Sequence, residues 1–342
     1  MHYEHVLGTS LELQVTATRV SAARRAEQAV LAEVDRLSAV LSGYTPESEL
    51  ARWQATRGEA VPVSAELAEV LEAGEAWRVR TGGAFNAAAV SLVERLRDGG
   101  AQAAPFAGAP RTRDTVDTRA IGDRVRALGG PLWAVDQTRG LATRLTDLPV
   151  SLDAIAKGYI VDRAAARASA TDGVVDVLLN VGGDLRHVGN RAFTVGVADP
   201  RAPAENAPLL AAVRLRGEAL ATSGGYRRGF RMGGRHVSHI VDPRTGRPAD
   251  RVLSASVLAP DCATADALST AFSVLDLAES VALADALPGV GCLLVGADGA
   301  ITANAFWRSR TVPVSGTDAR ARADGPRDST PGSEILHTVN AA

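Results

Sequence analysis

The segment SLDAIAKGYIVD, residues 151–162, holds Lys157, the only lysine among 37 basic residues. An ammonium is a compact point charge on a flexible stem, and arginine's planar fork does not replace it at a crowded position. The surrounding residues predict a helix start, with Ser151 ending a strand and Asp153 at the N-cap position. A helix start presents unpaired N–H groups and the positive end of the helix dipole, a seat for an anion such as phosphate. Lys157, about one turn in, adds a full positive charge there. The plainer reading, a capped helix with a solvated lysine, uses the same residues.

Asp266 and Thr270 stand four apart in TADALSTAF, on a segment that reads as helix, so they share a face. A carboxylate and a hydroxyl at that spacing can both reach a magnesium ion, a hard cation that takes oxygen ligands. Of six histidines, only His239 lies inside a dense polar motif, SHIVDPRTGRP. An imidazole with a pKa near ~6.5 can take a proton from a hydroxyl at neutral pH. His236, three residues earlier, falls on the opposite face of a strand. His187 reads as a surface residue. The sequence has no zinc-type His/Cys cluster, Walker loop, G-x-G-x-x-G after a strand, or G-x-S-x-G elbow.

Three further segments combine glycine with small polar groups: VLGTS (6–10), TGGAFNAAA (81–89) and LLNVGGDL (178–185). In the second, glycines allow close backbone approach to a ligand, and Phe85 could cover a flat ring; a helix stop before a buried aromatic is the alternative. In the third, a strand bends at glycines, and Asn180 and Asp184 can bond nearby backbone groups.

The elements that would position these residues follow from periodicity. LELQVTATRV alternates as a strand, and residues 22–42 repeat apolar side chains at helical spacing. Ser48 and Ser64 are expected to cap helices through Trp53 and Arg80. Residues 100–117 read as loop, WAVDQTRGLATRL as strand–turn–strand, and 154–168 as helix. Strands are expected at VVDVLLNV, FTVGVAD, LLAAVRLR, EALATSG, HVSHIVD and VLSASVLAP. Residues 263–287 then read as two helical pieces, and GCLLVGADGAITAN as a hairpin with an Asp-Gly turn. Early helices and late antiparallel strands make the class α+β. From 311 to 342 the Ser, Thr, Asp, Arg, Gly and Pro content predicts a disordered tail.

The chain has 342 residues, 46% hydrophobic and 22% charged, with net charge −2, so it resembles an ordinary globular protein. The near-neutral charge and the absence of a basic stripe argue against a nucleic-acid partner. No apolar run is long enough for a membrane span, and no signal peptide or lipobox is visible. The expected compartment is therefore the cytoplasm, or the periplasm or a membrane surface if a leader has been trimmed. Cys262 and Cys292 lie in or beside apolar runs and read as buried thiols.

In their order, L-G-T, GYTPESEL, GGAFN, A-K-G-Y-x-V-D, N-x-G-G-D, ATSGG, H-I-x-D-P-x-T-G-x-P and A-D-A-L-x-T-A resemble the ApbE-like family, the FAD:protein FMN transferases, over roughly residues 5–307. The resemblance implies a T-fold-like antiparallel core with helices clustered in the N-terminal part, in one domain spanning 1–310 or two lobes meeting at the site. It implies FAD as substrate, Mg²⁺ as cofactor, and transfer of FMN to a Thr or Ser hydroxyl of an acceptor protein with release of AMP. The acceptor expected is a redox or electron-transfer protein with an FMN-binding domain. The same resemblance leaves room for an FAD pyrophosphatase or a non-catalytic flavin-binding protein. Carried over by motif, Leu7, Tyr44, Ala84, Phe85, Asn86, Ser151, Lys157 and Ile240 are expected at the flavin nucleotide. The Ala154 carbonyl, Asp266 and Thr270, with Ser269 adjacent, are expected at the metal. His239 is expected as general base and Lys157 as phosphate clamp. Relative to the family pattern, Asn86 and Ser151 stand where Asp is common, and Asp153 where a small residue is common.

Overall fold

Strands whose two faces carry different apolar side chains build the centre of the molecule, described here by a computed structural model for residues 1–101, 118–202, 207–225, 229–232, 235–238, 240–313 and 335–339. In chain order the first elements are β1 (His2–Val6), β2 (Thr9–Ala17), α1 (Val20–Leu41), α2 (Glu49–Gln54), β3 (Ala60–Pro62), α3 (Ala65–Arg80), α4 (Val90–Ala101) and α5 (Thr118–Leu128). The middle of the chain forms β4 (Trp133–Asp136), β5 (Leu141–Arg144), α6 (Asp153–Ser169), β6 (Val174–Val181), β7 (Asp184–Val188), β8 (Phe193–Ala198), β9 (Leu209–Leu215) and β10 (Ala219–Gly224). Next come β11 (Gly229–Met232), β12 (Arg235–Ser238), β13 (Val241–Asp242), β14 (Arg247–Pro248) and β15 (Val252–Ala259). The chain closes with α7 (Cys262–Phe272), α8 (Leu277–Asp285), β16 (Gly291–Gly296), β17 (Ile301–Ala303), α9 (Ala305–Arg310), β18 (Thr311–Val312) and β19 (Ile335–Val339).

The central sheet has eight strands in the order β1-β2-β6-β7-β10-β15-β16-β17. Every neighbouring pair in it is antiparallel. Period-two alternation sorts its side chains. Leu178, Leu185, Leu220, Leu258 and Leu293 point to one face and join Phe193, Val195, Val213 and Trp307 in a small core. That core is closed by a second sheet in the order β18-β9-β8-β19. The intervening residues Val177, Leu179, Ala219, Ala221, Val257, Cys292 and Leu294 point the other way, into the main core under α1, α3, α6 and α7. The fold is α+β, with an antiparallel sheet between a helical layer and a smaller sheet. Among the described residues no helix is long and apolar enough to cross a membrane.

Caps form where residue type predicts them: Ser48 Oγ accepts from Ala51 N–H at 3.0 Å and Ser64 Oγ from Leu67 N–H at 3.2 Å. Other readings are corrected. His187 is fully buried rather than on the surface, because its strand lies in the sheet interior. Its Nδ1 accepts from Gly217 N–H at 2.8 Å, and its ring packs 5.0 Å from that of Phe193. Burial holds the His187 pKa below the ordinary imidazole value despite the nearby Asp176. Short elements escaped periodicity: β1, β7, α5 and α9 have no counterpart in the sequence reading. Within the segment expected to be a disordered tail, Thr311–Val312 pairs with β9, and Ile335–Val339, an apolar and β-branched run, pairs parallel with β8. Residues 314–334 and 340–342 of that segment, and 102–117 of the expected loop, lie outside the described residues. Cys262 and Cys292 are both buried free thiols, as their apolar surroundings predict.

Trp307 is 1% exposed at the centre of the small core. Trp307→Ala is expected to cost about 3–5 kcal/mol, as for other buried aromatic truncations. Urea unfolding measures it; a loss below 1 kcal/mol would contradict the packing.

Candidate functional site

The site is assembled where α6 crosses α7 at one end of the central sheet. Gly158 permits that crossing, since a Cβ there would lie 2.4 Å from the carbonyl oxygen of Cys262. With the helices this close, the buried Asp266 carboxylate on α7 reaches α6, and its Oδ2 accepts from Gly158 N–H at 3.1 Å. In a regular helix that N–H points toward the carbonyl of residue 154. One amide therefore brings the Ala154 end of α6 and the Asp266 carboxylate together.

Lys157, one residue before, forms an ion pair with Asp184 and also feels the Asp266 charge. Asp184 opens β7 directly after the Gly182–Gly183 turn, whose residues have φ of 57° and 96°. Both positive φ values suit a tight two-residue hairpin, which glycine adopts without strain. Asn180 completes the turn by accepting from Gly183 N–H at 3.1 Å. Asn180 thus bonds backbone as its type predicts, whereas Asp184 turns inward to the lysine.

The electrostatics of this cluster are unbalanced: two buried carboxylates face one ammonium. Burial pushes the Asp266 carboxyl well above the usual carboxylate range, and the neighbouring Asp184 adds to the shift. Asp184 is also raised, by burial more than Lys157 lowers it. For Lys157, burial opposes the charged form, but Asp184 and Asp266 outweigh it and hold its pKa above the ordinary lysine value. Burial and their mutual repulsion disfavour the fully ionised pair, and positive charge beside them favours it.

Hydroxyl groups line the adjoining turn of α7. Ser223, near the end of β10, has its Oγ 2.8 Å from Ser269 Oγ and 3.5 Å from Thr270 Oγ1. Ser269 Oγ–H donates back to the Asp266 carbonyl at 2.9 Å, so that buried hydroxyl also serves the helix itself. Among the described residues no group of three or more His, Cys, Asp and Glu side chains gathers to hold a metal. The donor set is instead carboxylate, hydroxyl and backbone carbonyl, all oxygen. With excess buried negative charge, such a set fits a hard divalent cation such as Mg²⁺ and does not resemble a zinc site.

The remaining candidates are distributed around the start of α6. Ser151 is tied to the TGGAFN segment, since its N–H donates to the Ala87 carbonyl at 2.8 Å. Asp153 is the first residue of α6 rather than its N-cap, and its N–H donates to Ser151 Oγ at 3.2 Å. Tyr44 is 83% exposed, and its hydroxyl donates to Asp153 Oδ2 at 2.5 Å. Leu7, with φ 51°, and Gly8 form the β1–β2 tip. Beside that tip lies the turn leading to Asp184, for Gly182 N–H donates to the Ser10 carbonyl at 3.1 Å.

Two expectations change on inspection of the TGGAFN segment. Phe85 is 1% exposed and Ala84 is buried with it, so the Phe85 ring belongs to the core and presents no face to a ligand. Asn86 spends its amide on the protein: its Nδ2 donates to the Leu128 carbonyl at 3.1 Å and its Oδ1 accepts from Ala88 N–H at 3.0 Å. Ile240 is partly buried against the main core, and its carbonyl accepts from Ala249 N–H at 2.9 Å. His239 lies outside the described residues. Its neighbour Ser238 packs so closely on Gly225 that a Cβ there would meet Ser238 Oγ at 2.3 Å. Gly225 is two residues from Ser223, so Ser238 approaches the chain that carries that site hydroxyl.

Sequence reasoning passed over Asp184 and Ser223 as site residues, although both sit in quoted motifs. Their signal was a carboxylate immediately after two glycines and a hydroxyl immediately before two.

A sequence model of the ApbE family matches residues 7–294. A Rhodobacter capsulatus protein named FAD:protein FMN transferase is 31% identical over 330 residues, covering 91% of this chain, which spans only 58% of that relative's length. A Treponema pallidum protein of the same name is 31% identical over 317 residues, covering 88% of this chain and 86% of its own. The crystal structure of the ApbE protein from Thermotoga maritima superposes with a TM-score of 0.75 at 28% identity, covering 92% of this chain and 100% of that one. The flavin transferase ApbE from Vibrio cholerae shares the fold, with a TM-score of 0.69 at 22% identity over 91% of this chain and 98% of its own.

Gly158→Ala is expected to cost about 1–3 kcal/mol, because the added methyl must push two packed helices apart. Calorimetric melting measures the loss; an unchanged Tm would show that the crossing is looser than described.

Proposed function

This chain belongs to the ApbE family, and we propose that it is an FAD:protein FMN transferase whose catalytic unit is residues 1–310. The observation that carries the reading is the meeting of Asp266 with the start of α6 beside Lys157, next to the hydroxyls of Ser223, Ser269 and Thr270. In the reaction, a Thr or Ser oxygen of the acceptor bonds to the phosphorus of the FMN half of FAD. The bond from that phosphorus to the bridging oxygen breaks, AMP leaves with that oxygen, and the hydroxyl proton passes to a base. The acceptor is a redox or electron-transfer protein with an FMN-binding domain.

Each group has a role that its chemistry supports. The Ala154 carbonyl, Asp266 and Thr270, with Ser269 and Ser223 behind them, would hold Mg²⁺. When bound, the ion supplies positive charge that stabilises the phosphoryl oxygens and the departing phosphate. Lys157 adds a second cation at the diphosphate, and its pairing with Asp184 aims the ammonium before substrate arrives. The N-terminus of α6 contributes N–H donors and dipole. Tyr44, Ser151 and Leu7 border the nucleotide, and Ile240 lies beside it. Ala84, Phe85 and Asn86 are buried, backbone included, so their part would be to support the flavin pocket from behind. His239 is the general base, by residue type and motif.

The test combines purified protein, FAD, Mg²⁺ and co-expressed candidate acceptors, with mass spectrometry of the acceptor. The expected result is an FMN-sized adduct on a Thr or Ser and stoichiometric AMP. Free FMN and AMP without an adduct on any acceptor would replace transfer by hydrolysis. Lys157→Arg is expected to lower turnover tenfold or more, roughly the worth of a charged hydrogen bond. Unchanged FAD affinity and turnover would remove the clamp.

A further inference from the structure

Asp162 lies two turns along α6 from Ala154, about 12 Å at 1.5 Å per residue. It is too far along the helix to share the reacting end. Its carboxylate instead reaches across to the start of α7. Oδ1 and Oδ2 accept from Cys262 N–H at 2.9 and 2.8 Å, and Oδ2 also accepts from Ala263 N–H at 2.9 Å. The first N–H groups of a helix have no partner within it. The N-cap Asp261 satisfies only the next one, accepting from Thr264 N–H at 2.7 Å. Two of the donors that α7 leaves open are thus met by a side chain from another helix.

Arg186 on β7 completes the joint. Its Nε lies 3.3 Å from Asp162 Oδ1, and its NH1 donates to the carbonyls of Gly217 at 2.9 Å and Pro260 at 2.8 Å. Pro260 immediately precedes the α7 N-cap, and Arg186 follows Asp184 by two residues. The same joint therefore grips α6, α7 and β7, the elements that carry Lys157, Asp266 with Thr270, and Asp184. The contacts run antiparallel along the helices: residue 162 meets 262 and 263, and residue 158 meets 262 and 266. A slip of one residue in α7 would swing Asp266 by about 100° away from α6.

We infer that Asp162, held by Arg186, is a positioning residue that sets the register of α7 on α6 and so aims the Asp266 and Thr270 oxygens at the cation and diphosphate. The inference rests on the transferase reading for what those oxygens bind, but the helix register it assigns does not. Hydrogen bonds behind metal ligands typically change affinity or activity by about 10–100-fold when removed.

The test compares wild type, Asp162→Ala, Asp162→Asn and Arg186→Gln as full chains, well below their melting temperatures. Calorimetric titration with FAD in the presence of Mg²⁺ gives the affinity, and hydrogen exchange without ligand reports on residues 262–272. Asp162→Ala is expected to weaken FAD binding about tenfold and to speed exchange in α7 selectively. Asp162→Asn, which keeps one acceptor oxygen, should recover most of both, and Arg186→Gln should fall between. If Asp162→Ala does not fold, the Asn and Gln variants carry the comparison against wild type. Unchanged affinity and unchanged α7 exchange in folded variants, with only a lower Tm, would overturn the inference. Wild type that binds no FAD would overturn the transferase reading instead, leaving the exchange data to decide the register.

Discussion

The close approach of α6 and α7 at Gly158 is the constraint on which the site depends. Without a side chain there, the Cys262 carbonyl can sit where a Cβ would otherwise be. That contact lets one carboxylate on α7 bond an amide in the first turns of α6. Every other feature of the site follows from this crossing. Lys157 is aimed at β7, Asp162 caps the start of α7, and the Ser269 and Thr270 hydroxyls fall beside Ser223. The motif A-K-G-Y-x-V-D is thus three contacts in a row: an ion pair to β7, then a close packing and a helix cap that both meet the start of α7.

The joint stores an electrostatic imbalance as well as a shape. Burying two carboxylates against one ammonium is unfavourable unless more positive charge is supplied. The raised pKa directions of Asp184 and Asp266 express that tension. A divalent cation relieves it, and the surrounding donors are of the oxygen type that such an ion takes.

Much of the frame was legible because its signals are local. The Ser48 and Ser64 caps, the alternating strands and the Asp298–Gly299 hairpin turn are each decided by a few adjacent residues, and all are present. The misreadings share a different cause. His187 looks exposed in sequence, yet the second sheet covers it. Phe85, open in sequence to a ring cover or a buried aromatic, is buried against α3, and Asn86 bonds the Leu128 carbonyl from across the chain. β7 and α9 are short, and their place comes from pairing and packing rather than periodicity.

The sequence by itself determined the residue types and their order: one lysine in a helix start, an acid and an alcohol a turn apart, and glycines where the backbone must turn or touch. Those properties are local because spacing along a helix or strand sets which side chains share a face. Only the tertiary structure decided the pairings. Lys157 with Asp184, Asp266 with Gly158, Ser223 with Ser269, and Asp162 with Cys262 and Ala263 are separated by 27, 108, 46, 100 and 101 residues. Partners at such distances are chosen by which faces a core buries together, and no window of sequence contains that information.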